Sequence, residues 1–260
     1  MKQIKTIIAA LIIITAASSC SKNNDIVAPP QVATGLKLSK YEYQGTGYAQ
    51  TFTYATNGRL EKLTDSYFIN KYSYPSGSVG FESFESNNTK QYDFTNIVVA
   101  NNKITSYDFR FFDGTTGLPY NPQLNTLQYD ANGYLVKMAY GSYVYDYTIT
   151  NGNTVNMKYT DNFSGATRNT ALEYYTDKPN KLNVNLFEQW HQNHYLFDNE
   201  LYGKKNANLP KKRTYTYGTN IEVNEFNYVM NADGLPSQMT ITRTINSNAP
   251  TVETINFTYQ

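Results

Sequence analysis

The segment from Tyr129 to Met138 (YDANGYLVKM) constrains the fold more than any other, because it has the pattern of a complete β-hairpin. Asp130 suits the first position of a type I turn, and Gly133 suits the left-handed residue that closes it. A three-residue loop of this kind places Tyr129 opposite Leu135 as an aromatic–aliphatic cross-strand pair. The segment therefore predicts two antiparallel strands joined by a short turn.

The same kind of turn recurs elsewhere in the chain. A second copy runs over residues 54–63, a looser third copy runs over 230–239, and a further hairpin is expected at Asn151-Gly152. The glycines predicted to specify these turns are Gly58, Gly133, Gly152 and Gly234. Their spacing is uneven, which excludes a solenoid of fixed period.

From Gly35 onward, strand-like runs alternate with turn signals at roughly 8–12 residues, the spacing of an antiparallel meander. We count about fourteen to sixteen strands, more than an open twisted sheet usually holds without curling or closing. Tyr (25) and Phe (13) carry much of the apolar area, and they favour strands. The sequence predicts one all-β domain over residues 35–260, as a strongly curved sheet or a barrel, and leaves these two open.

Leu60 and Leu63, like Leu135 and Met138, are three residues apart and would fall on opposite faces of an ideal strand. Two explanations fit this spacing. Either a β-bulge intervenes, or both faces of the sheet are partly covered.

One segment departs from the strand pattern. Leu186, Trp190, Phe197 and Leu201 recur at near-helical spacing, and Gly203 suits a helix C-cap. We therefore predict a short helix near residues 186–202, laid over the sheet or across a barrel mouth.

The N-terminus has the pattern of a signal peptide. Lys2 and Lys5 precede an apolar run from Ile7 to Ala17, which is shorter than the roughly 20 residues that span a bilayer. We predict a signal over residues 1–19, and an ordinary secretory signal followed by an incidental cysteine is the alternative. Residues 20–34, with Pro29-Pro30, are expected to form a flexible tether.

The residues before Cys20, Ala17-Ser18-Ser19, resemble a bacterial lipobox, with Ala17 where leucine is usual. The resemblance implies that Cys20 becomes the lipidated first residue of the mature protein. The polar stretch from Ser21 to Asp25 is similar to the one that follows the cysteine in many Bacteroidota lipoproteins. The implied location is the cell envelope, as an outer-membrane lipoprotein in either leaflet.

The hairpins resemble the YD repeats of Rhs-type proteins, but they are too few and too irregular for that shell. With Tyr175–Leu182 (YTDKPNKL) and Leu201–Pro210 (LYGKKNANLP), the chain more closely resembles Bacteroidota lipoproteins of unknown function with a porin-like β fold. The resemblance implies a fold and a location in the envelope. It implies no activity and no catalytic residue.

The charge balance and the motifs exclude several classes of function. A formal charge of +1 gives no reason to expect a nucleic-acid partner. A single cysteine rules out an internal disulfide and a cysteine-based metal site. The basic run Lys211-Lys212-Arg213, with Lys204-Lys205 before it, is interpreted as a solvated face or loop. No phosphate-binding loop, nucleophile elbow or dinucleotide fingerprint occurs, so no cofactor is predicted.

His191 and His194 form an H-x-x-H motif that could hold Zn²⁺ together with a carboxylate. The motif lacks a third fixed ligand, and the alternative is a pair of polar residues on a covering helix. Trp190 is a candidate ligand-binding residue, since an exposed ring could contact a glycan or a peptide. Paired carboxylates for a hydrolase could come from Glu82, Glu85, Asp93 or Asp108.

A transmembrane barrel does not fit the sequence, because the strands lack a sustained apolar face and contain charged residues. We therefore expect a lipid-anchored envelope protein whose β domain binds or scaffolds without catalysis. A glycan-binding lipoprotein and a secreted hydrolase of polysaccharide or peptide are the alternatives. The expected partners are the membrane, through the lipid on Cys20, and a glycan or an envelope protein.

Overall fold

A computed structural model describes residues 35–75, 78–184 and 201–260. Over these residues sixteen strands form a closed barrel in which every pair of neighbouring strands is antiparallel. Each strand pairs with its neighbours in sequence, and the first strand pairs with the last. The expected all-β antiparallel meander is confirmed. Of the two arrangements left open by the sequence, the structure has the closed barrel.

The strands are β1 Leu38–Tyr43, β2 Ala49–Tyr54, β3 Leu60–Thr64, β4 Phe68–Ser73, β5 Gly80–Glu85, β6 Lys90–Ala100, β7 Lys103–Phe112, β8 Pro119–Tyr129, β9 Leu135–Tyr140, β10 Tyr143–Thr150, β11 Asn153–Asp161, β12 Thr167–Pro179, β13 Asn208–Tyr217, β14 Asn220–Met230, β15 Pro236–Ile245 and β16 Thr251–Tyr259. The helix expected near 186–202 lies outside the described residues except for Leu201 and Tyr202, which are in a turn. No helix among the described residues is long and apolar enough to cross a membrane.

The three related hairpins share a β-bulge at the same position. In the first copy Tyr54 pairs with Leu60 and Thr53 pairs with Lys62, so Glu61 is an extra residue in its strand. The other two copies show the same one-residue shift, and their extra residues are Val136 and Ser237.

The bulge explains the three-residue spacing of the leucines. An extra residue returns the side-chain alternation to the same face, and Leu60 and Leu63 are accordingly both buried. Leu135 and Met138 are buried in the same way in the second copy. Of the two explanations left open by the sequence, the bulge is correct.

The inward face of the wall is largely aromatic. Side chains alternate between the two faces of a barrel strand, and directly paired residues share a face. One inward row joins Tyr72, Phe81, Phe94 and Phe109 across four strands. Successive ring centroids in this row lie 5.3, 4.7 and 5.6 Å apart. Contacts of this kind between rings supply much of the core.

The outward face carries charged residues at mid-strand. One outward row joins Lys62, Lys71, Glu82, Asp93 and Arg110. Another joins Lys137, Asp146 and Lys158. The two rows lie on different sides of the barrel, so charge is distributed around the wall.

The two ends of the barrel differ. The turns after β2, β6, β8, β10 and β14 lie at one end, together with Lys37 and Gln260. This end is covered by residues 180–184 and 201–207 of the connection between β12 and β13, which we call the plug. The opposite end carries the turns after β1, β3, β5, β7, β9, β11, β13 and β15. We call the two ends the plugged end and the open end.

Backbone hydrogen bonds fix the plug to several strands and turns. The amide of Ile104 donates to the carbonyl of Leu201 at 2.7 Å, and the amide of Lys204 donates to Gly133 at 2.9 Å. Asn183 accepts from the amide of Leu38 at 2.9 Å. These partners are spread around the rim of the barrel. The plug is therefore attached to the wall on opposite sides of the end that it covers.

Candidate functional site

The exposure of inward-facing side chains changes along the barrel. At the plugged end, Leu38, Leu60 and Ile104 are 2% exposed or less. At the open end, Tyr217 is 44% exposed and Tyr120 is 52% exposed. Barrels of sixteen strands are wide enough to enclose space that side chains do not fill. The plugged end is therefore packed, and solvent reaches the inward face at the open end.

Four tyrosines on β9, β10 and β11 form a cluster at the open end: Tyr140, Tyr143, Tyr145 and Tyr159. We call this the tyrosine cluster. Tyr140 and Tyr143 flank the short turn between β9 and β10, and their ring centroids are 5.0 Å apart. Tyr159 lies 5.8 Å from Tyr143 and 5.1 Å from Tyr145. The rings are half-buried, so the cluster presents a continuous aromatic surface.

Arg168 extends this surface on β12. It pairs with Tyr159 on β11 and with Tyr217 on β13. Its guanidinium carbon lies 5.1 Å from the ring centroid of Tyr159 and 4.6 Å from that of Tyr217, and the side chain also hydrogen-bonds Tyr215. Both distances are within the range of a cation–π contact. Arg168 is exposed, so its charge remains accessible between two rings.

A second charged group faces inward beside the tyrosines. The carboxylate of Glu222 accepts a hydrogen bond from Arg243 at 2.7 Å and one from Arg213 at 3.2 Å. Asn224 donates to it at 2.8 Å. Burial alone would raise the pKa of Glu222, but these donors and the two positive charges lower it overall. Glu222 is therefore ionised, and its carboxylate forms ion pairs with both arginines.

Arg213 is the most buried of the three charged residues, with a side chain that is 14% exposed. Burial lowers its pKa, and the charge of Glu222 opposes the shift. An arginine keeps its charge even so. The group of two arginines and one glutamate therefore carries one net positive charge.

On the opposite side of the open end, Asp65 organises the turn between β3 and β4. Its carboxylate accepts from the amides of Tyr67 and Phe68 at 2.8 Å and from the hydroxyl of Tyr48 at 3.1 Å. Gln50 donates to the same carboxylate at 3.2 Å. Burial, followed by the charge of Asp65, raises the pKa of Tyr48 to about 12. These contacts give Asp65 a structural role.

The candidate residues from the sequence are separated in the structure. Cys20, Trp190, His191 and His194 lie outside the described residues. Over the parts of the chain that are described, no three His, Cys, Asp or Glu side chains are grouped to hold a metal ion. Gly58, Gly133, Gly152 and Gly234 all have positive φ, and each lies in a turn at the plugged end.

Three of the four candidate carboxylates do not face the lumen. Glu82, Asp93 and Asp108 lie on the outward face of the wall, and Glu85 ends β5 at the open end on the same face as Ser83. Asp93 accepts two hydrogen bonds from Arg110, at 2.9 and 2.7 Å. The structure therefore brings none of these carboxylates to the aromatic surface.

The interpretation of the basic run as a solvated face is wrong for Arg213 and for Lys205. Arg213 faces inward and contacts Glu222, whereas its neighbour Lys212 faces outward, 3.7 Å from Glu173. Lys205 is half-buried and donates to the carbonyl of Leu182 within the plug. Strand alternation and the path of the plug separate residues that the sequence groups together.

The tyrosine cluster and Arg168 were not identified from the sequence. The alternate positions of Tyr143, Tyr145 and Tyr147 on one strand, and of Tyr215 and Tyr217 on another, are the signal that could have revealed them. Alternation places such residues on one face. The pairing of strands that brings the two stripes to the same end is not visible in the sequence.

No protein-family model and no curated protein matches the sequence. Among solved structures, the chain is similar to a porin-like protein from Bacteroides uniformis ATCC 8492, with a TM-score of 0.62 and 15% identity, over 86% of this chain and 98% of that one. It is also similar to a porin-like protein from Bacteroides vulgatus ATCC 8482, with a TM-score of 0.58 and 14% identity, over 87% and 99%. At this identity the likeness concerns the fold alone. The chain has the porin-like β-barrel fold of these Bacteroides proteins.

Proposed function

We propose that this protein is a lipid-anchored cell-envelope protein that binds a glycan at the open end of its barrel, without catalysis. The observation that carries the proposal is the aromatic surface of the tyrosine cluster, which solvent reaches at one end of a barrel that is plugged at the other.

The outward face supports a barrel surrounded by water. Lys71 and Glu82 are direct neighbours at mid-strand, and Lys137 and Asp146 are neighbours on another side. A lysine or arginine facing lipid at the middle of a bilayer costs about 2–4 kcal/mol. Several such residues in rows would make insertion strongly unfavourable, although the fold is porin-like.

The lipid on Cys20 would then provide the attachment to the membrane. Lys37, near the start of the described chain, donates from its amide to the carbonyl of Gln260 at the plugged end. A tether over residues 20–34 would therefore approach the barrel at its plugged end. This arrangement leaves the open end facing away from the membrane that holds the lipid.

A glycan suits the open end because sugar rings have apolar faces that stack on aromatic side chains. Tyrosine also offers a hydroxyl for hydrogen bonds and loses little conformational entropy on binding. The tyrosine cluster provides several rings at 5.0–6.1 Å spacing. Neighbouring rings of this kind can contact successive parts of an oligosaccharide.

The non-catalytic part of the proposal is supported by the state of two inward carboxylates beside this surface, Asp161 and Glu222. Hydrogen bonds from Ser164 and from the amide of Phe163 lower the pKa of Asp161, and two arginines and Asn224 lower that of Glu222. A general acid in glycoside hydrolysis needs a raised pKa. A carboxylate engaged in this way is a poor proton donor at neutral pH.

The first test is thermal melting of the full chain carrying Cys20→Ser, with a panel of oligosaccharides, peptidoglycan fragments and peptides. A ligand at 100 times its dissociation constant adds about 2.7 kcal/mol, which raises the melting temperature of a domain of this size by roughly 5–10 °C. We expect such a shift with at least one oligosaccharide, and no release of cleavage products.

The matched variants are Tyr159→Ala, which removes a ring of the tyrosine cluster, and Phe84→Ala, which removes an outward ring packed under Lys71 at 4.3 Å. Only Tyr159→Ala should abolish the shift. A panel without any oligosaccharide shift would overturn the glycan proposal. Product release would favour the hydrolase.

The anchor is tested separately by metabolic labelling with palmitate. Labelling that is lost in Cys20→Ser would support lipidation. An unlabelled, secreted protein would overturn it and favour the ordinary secretory signal.

A further inference from the structure

We propose that the ligand of the open end is an acidic saccharide, whose carboxylate binds the guanidinium of Arg168 while its ring stacks on an adjacent tyrosine. The inference rests on the proposed glycan function and deepens it by naming the chemical class of the sugar. It depends on the partners of the arginines, on the rings beside Arg168 and on the charges that face the lumen.

Arg168 has different partners from three other arginines of the barrel. Arg110, Arg213 and Arg243 each contact a carboxylate, at 2.7–3.2 Å. Within the described ranges Arg168 forms no ion pair, and its partners are the rings of Tyr159 and Tyr217 and the Tyr215 side chain. Its positive charge is therefore not neutralised by a neighbouring side chain.

Asp161, the acidic residue nearest to Arg168, binds other partners. Asp161, at the end of β11, accepts from the amide of Phe163 at 2.9 Å and from the hydroxyls of Ser164 and Ser142. These donors lower its pKa, and the Ser164 hydrogen bond is the largest contribution. Asp161 thus holds the turn between β11 and β12, and it is not among the groups that act on Arg168.

Of the other inward charges, Asp65 and Glu85 lie on the opposite side of the open end, and the rest lie on β13 to β16. Glu222 binds Arg213 and Arg243, and Glu253 on β16 acts on Arg243 from the next strand. The two glutamates balance the two arginines on that side. Among the described residues, Arg168 is therefore the inward arginine of the open end whose guanidinium contacts rings and no carboxylate.

The position between two rings explains why the anion should belong to a sugar. An arginine binds a carboxylate through two parallel N–H···O bonds in a fixed planar geometry. Tyr159 and Tyr217 flank Arg168 on the neighbouring strands. A saccharide stacked on either ring would place a ring substituent beside the guanidinium, and a uronic acid carries its carboxylate as such a substituent.

The experiment compares oligogalacturonate and oligomannuronate with their methyl esters, which keep the sugar backbone and remove the charge. Binding to the full chain carrying Cys20→Ser is measured by calorimetry at low and high salt. We expect the acid to bind about tenfold to a hundredfold more tightly than its ester, the range for one charged hydrogen-bonded contact. Salt should reduce the difference.

Two charge-removing variants locate the effect. Arg168→Gln should lose the preference for the acid, whereas Lys158→Gln, on the outward face of the adjacent strand β11, should keep it. Arg168→Lys keeps the charge and loses the planar pair of donors, so it should retain part of the preference. Its melting temperature and that of Arg168→Gln show whether either variant is folded.

The outcomes separate the two proposals. Equal binding of acid and ester would overturn the acidic-saccharide inference and leave the glycan function standing. If neither uronate and neither methyl ester binds, the acidic-saccharide inference is overturned. If no oligosaccharide in the wider melting panel binds either, the glycan function is overturned as well. An acid preference that survives in folded Arg168→Gln would also overturn the inference.

Discussion

The hydroxyl of Tyr129 donates a hydrogen bond to the backbone carbonyl of Leu201 at 3.3 Å. The carbonyl of Ile104, at 2.7 Å, shares the same hydroxyl proton, and the amide of Ile104 donates to Leu201. The first residue of the hairpin that is most evident in the sequence thus connects the wall of the barrel to its plug.

Removing this hydroxyl should loosen the plug. Tyr129→Phe keeps the ring and leaves two buried carbonyls with one partner fewer, so we expect a loss of about 0.5–1.5 kcal/mol of unfolding free energy. Amide exchange at Ile104 should become faster, because its acceptor belongs to the plug. The matched control is Tyr134→Phe in the same hairpin, with its ring 5.7 Å from the amine of Lys204, for which a smaller change is expected. Equal effects would contradict this role of Tyr129.

Gly203 should tolerate no side chain, for a reason beyond its positive φ. An added Cβ would lie 3.0 Å from Cε1 of Tyr129 and 3.1 Å from the backbone nitrogen of Leu135. Gly47 also has positive φ, but an added Cβ there would meet open space. Gly47→Ala should cost about 1–2 kcal/mol from the backbone conformation alone. Gly203→Ala should cost clearly more in denaturant unfolding, and a cost no greater than that of Gly47→Ala would show that the plug adapts.

Loss of the Glu222 charge should destabilise the inward side of β13–β15. Glu222→Gln leaves Arg213 buried beside a neutral partner. Removing one member of a fully buried ion pair costs about 3–5 kcal/mol, and partial exposure of this group reduces the expectation to about 1–3 kcal/mol. Glu82→Gln, which removes a half-exposed outward partner of Lys90, should cost less than about 1 kcal/mol. Urea midpoints of the two variants at neutral pH compare them.

Acid should unfold the barrel partly through Glu222 and Asp93. Burial would raise the pKa of Asp93, but hydrogen bonds from Arg110 and Lys90 lower it overall, and the pKa of Glu222 is also lowered. Both groups bind protons more weakly in the folded protein than in the unfolded chain. Their contribution is complete above the ordinary carboxyl pKa of about 4 and is lost as the pH falls through the folded values.

The measurement is the free energy of unfolding between pH 7 and pH 3. We expect it to fall below about pH 5 in the parent protein and to fall less steeply in Glu222→Gln, so that the two curves converge in acid. Parallel curves over this range would contradict a lowered pKa for Glu222.

The local parts of the fold were predictable because they depend on short segments. Tyr129 pairs with Leu135 as the turn chemistry requires, and strand alternation accounts for much of the core. The orientation of Arg213 was not predictable, because a shift of one residue in register reverses the face of every side chain in a strand. Arg168 and Tyr217 meet because β12 pairs with β13, two strands separated by a long connection that carries no pairing signal. The candidate site could therefore be recognised only from the register of the paired strands.

The pairing of β1 with β16 joins residues that are far apart along the chain, such as Ser39 and Thr258, whose side chain and backbone hydrogen-bond across 219 positions. Such distant contacts form late in folding, because the entropy of the long loop must be overcome first. Until then both strands expose unpaired edges that could join another molecule. Lys40 and Glu42 place charges on β1, where they would discourage this aggregation. The pairing that makes the barrel continuous is therefore also the step of its assembly at which a chaperone would help most.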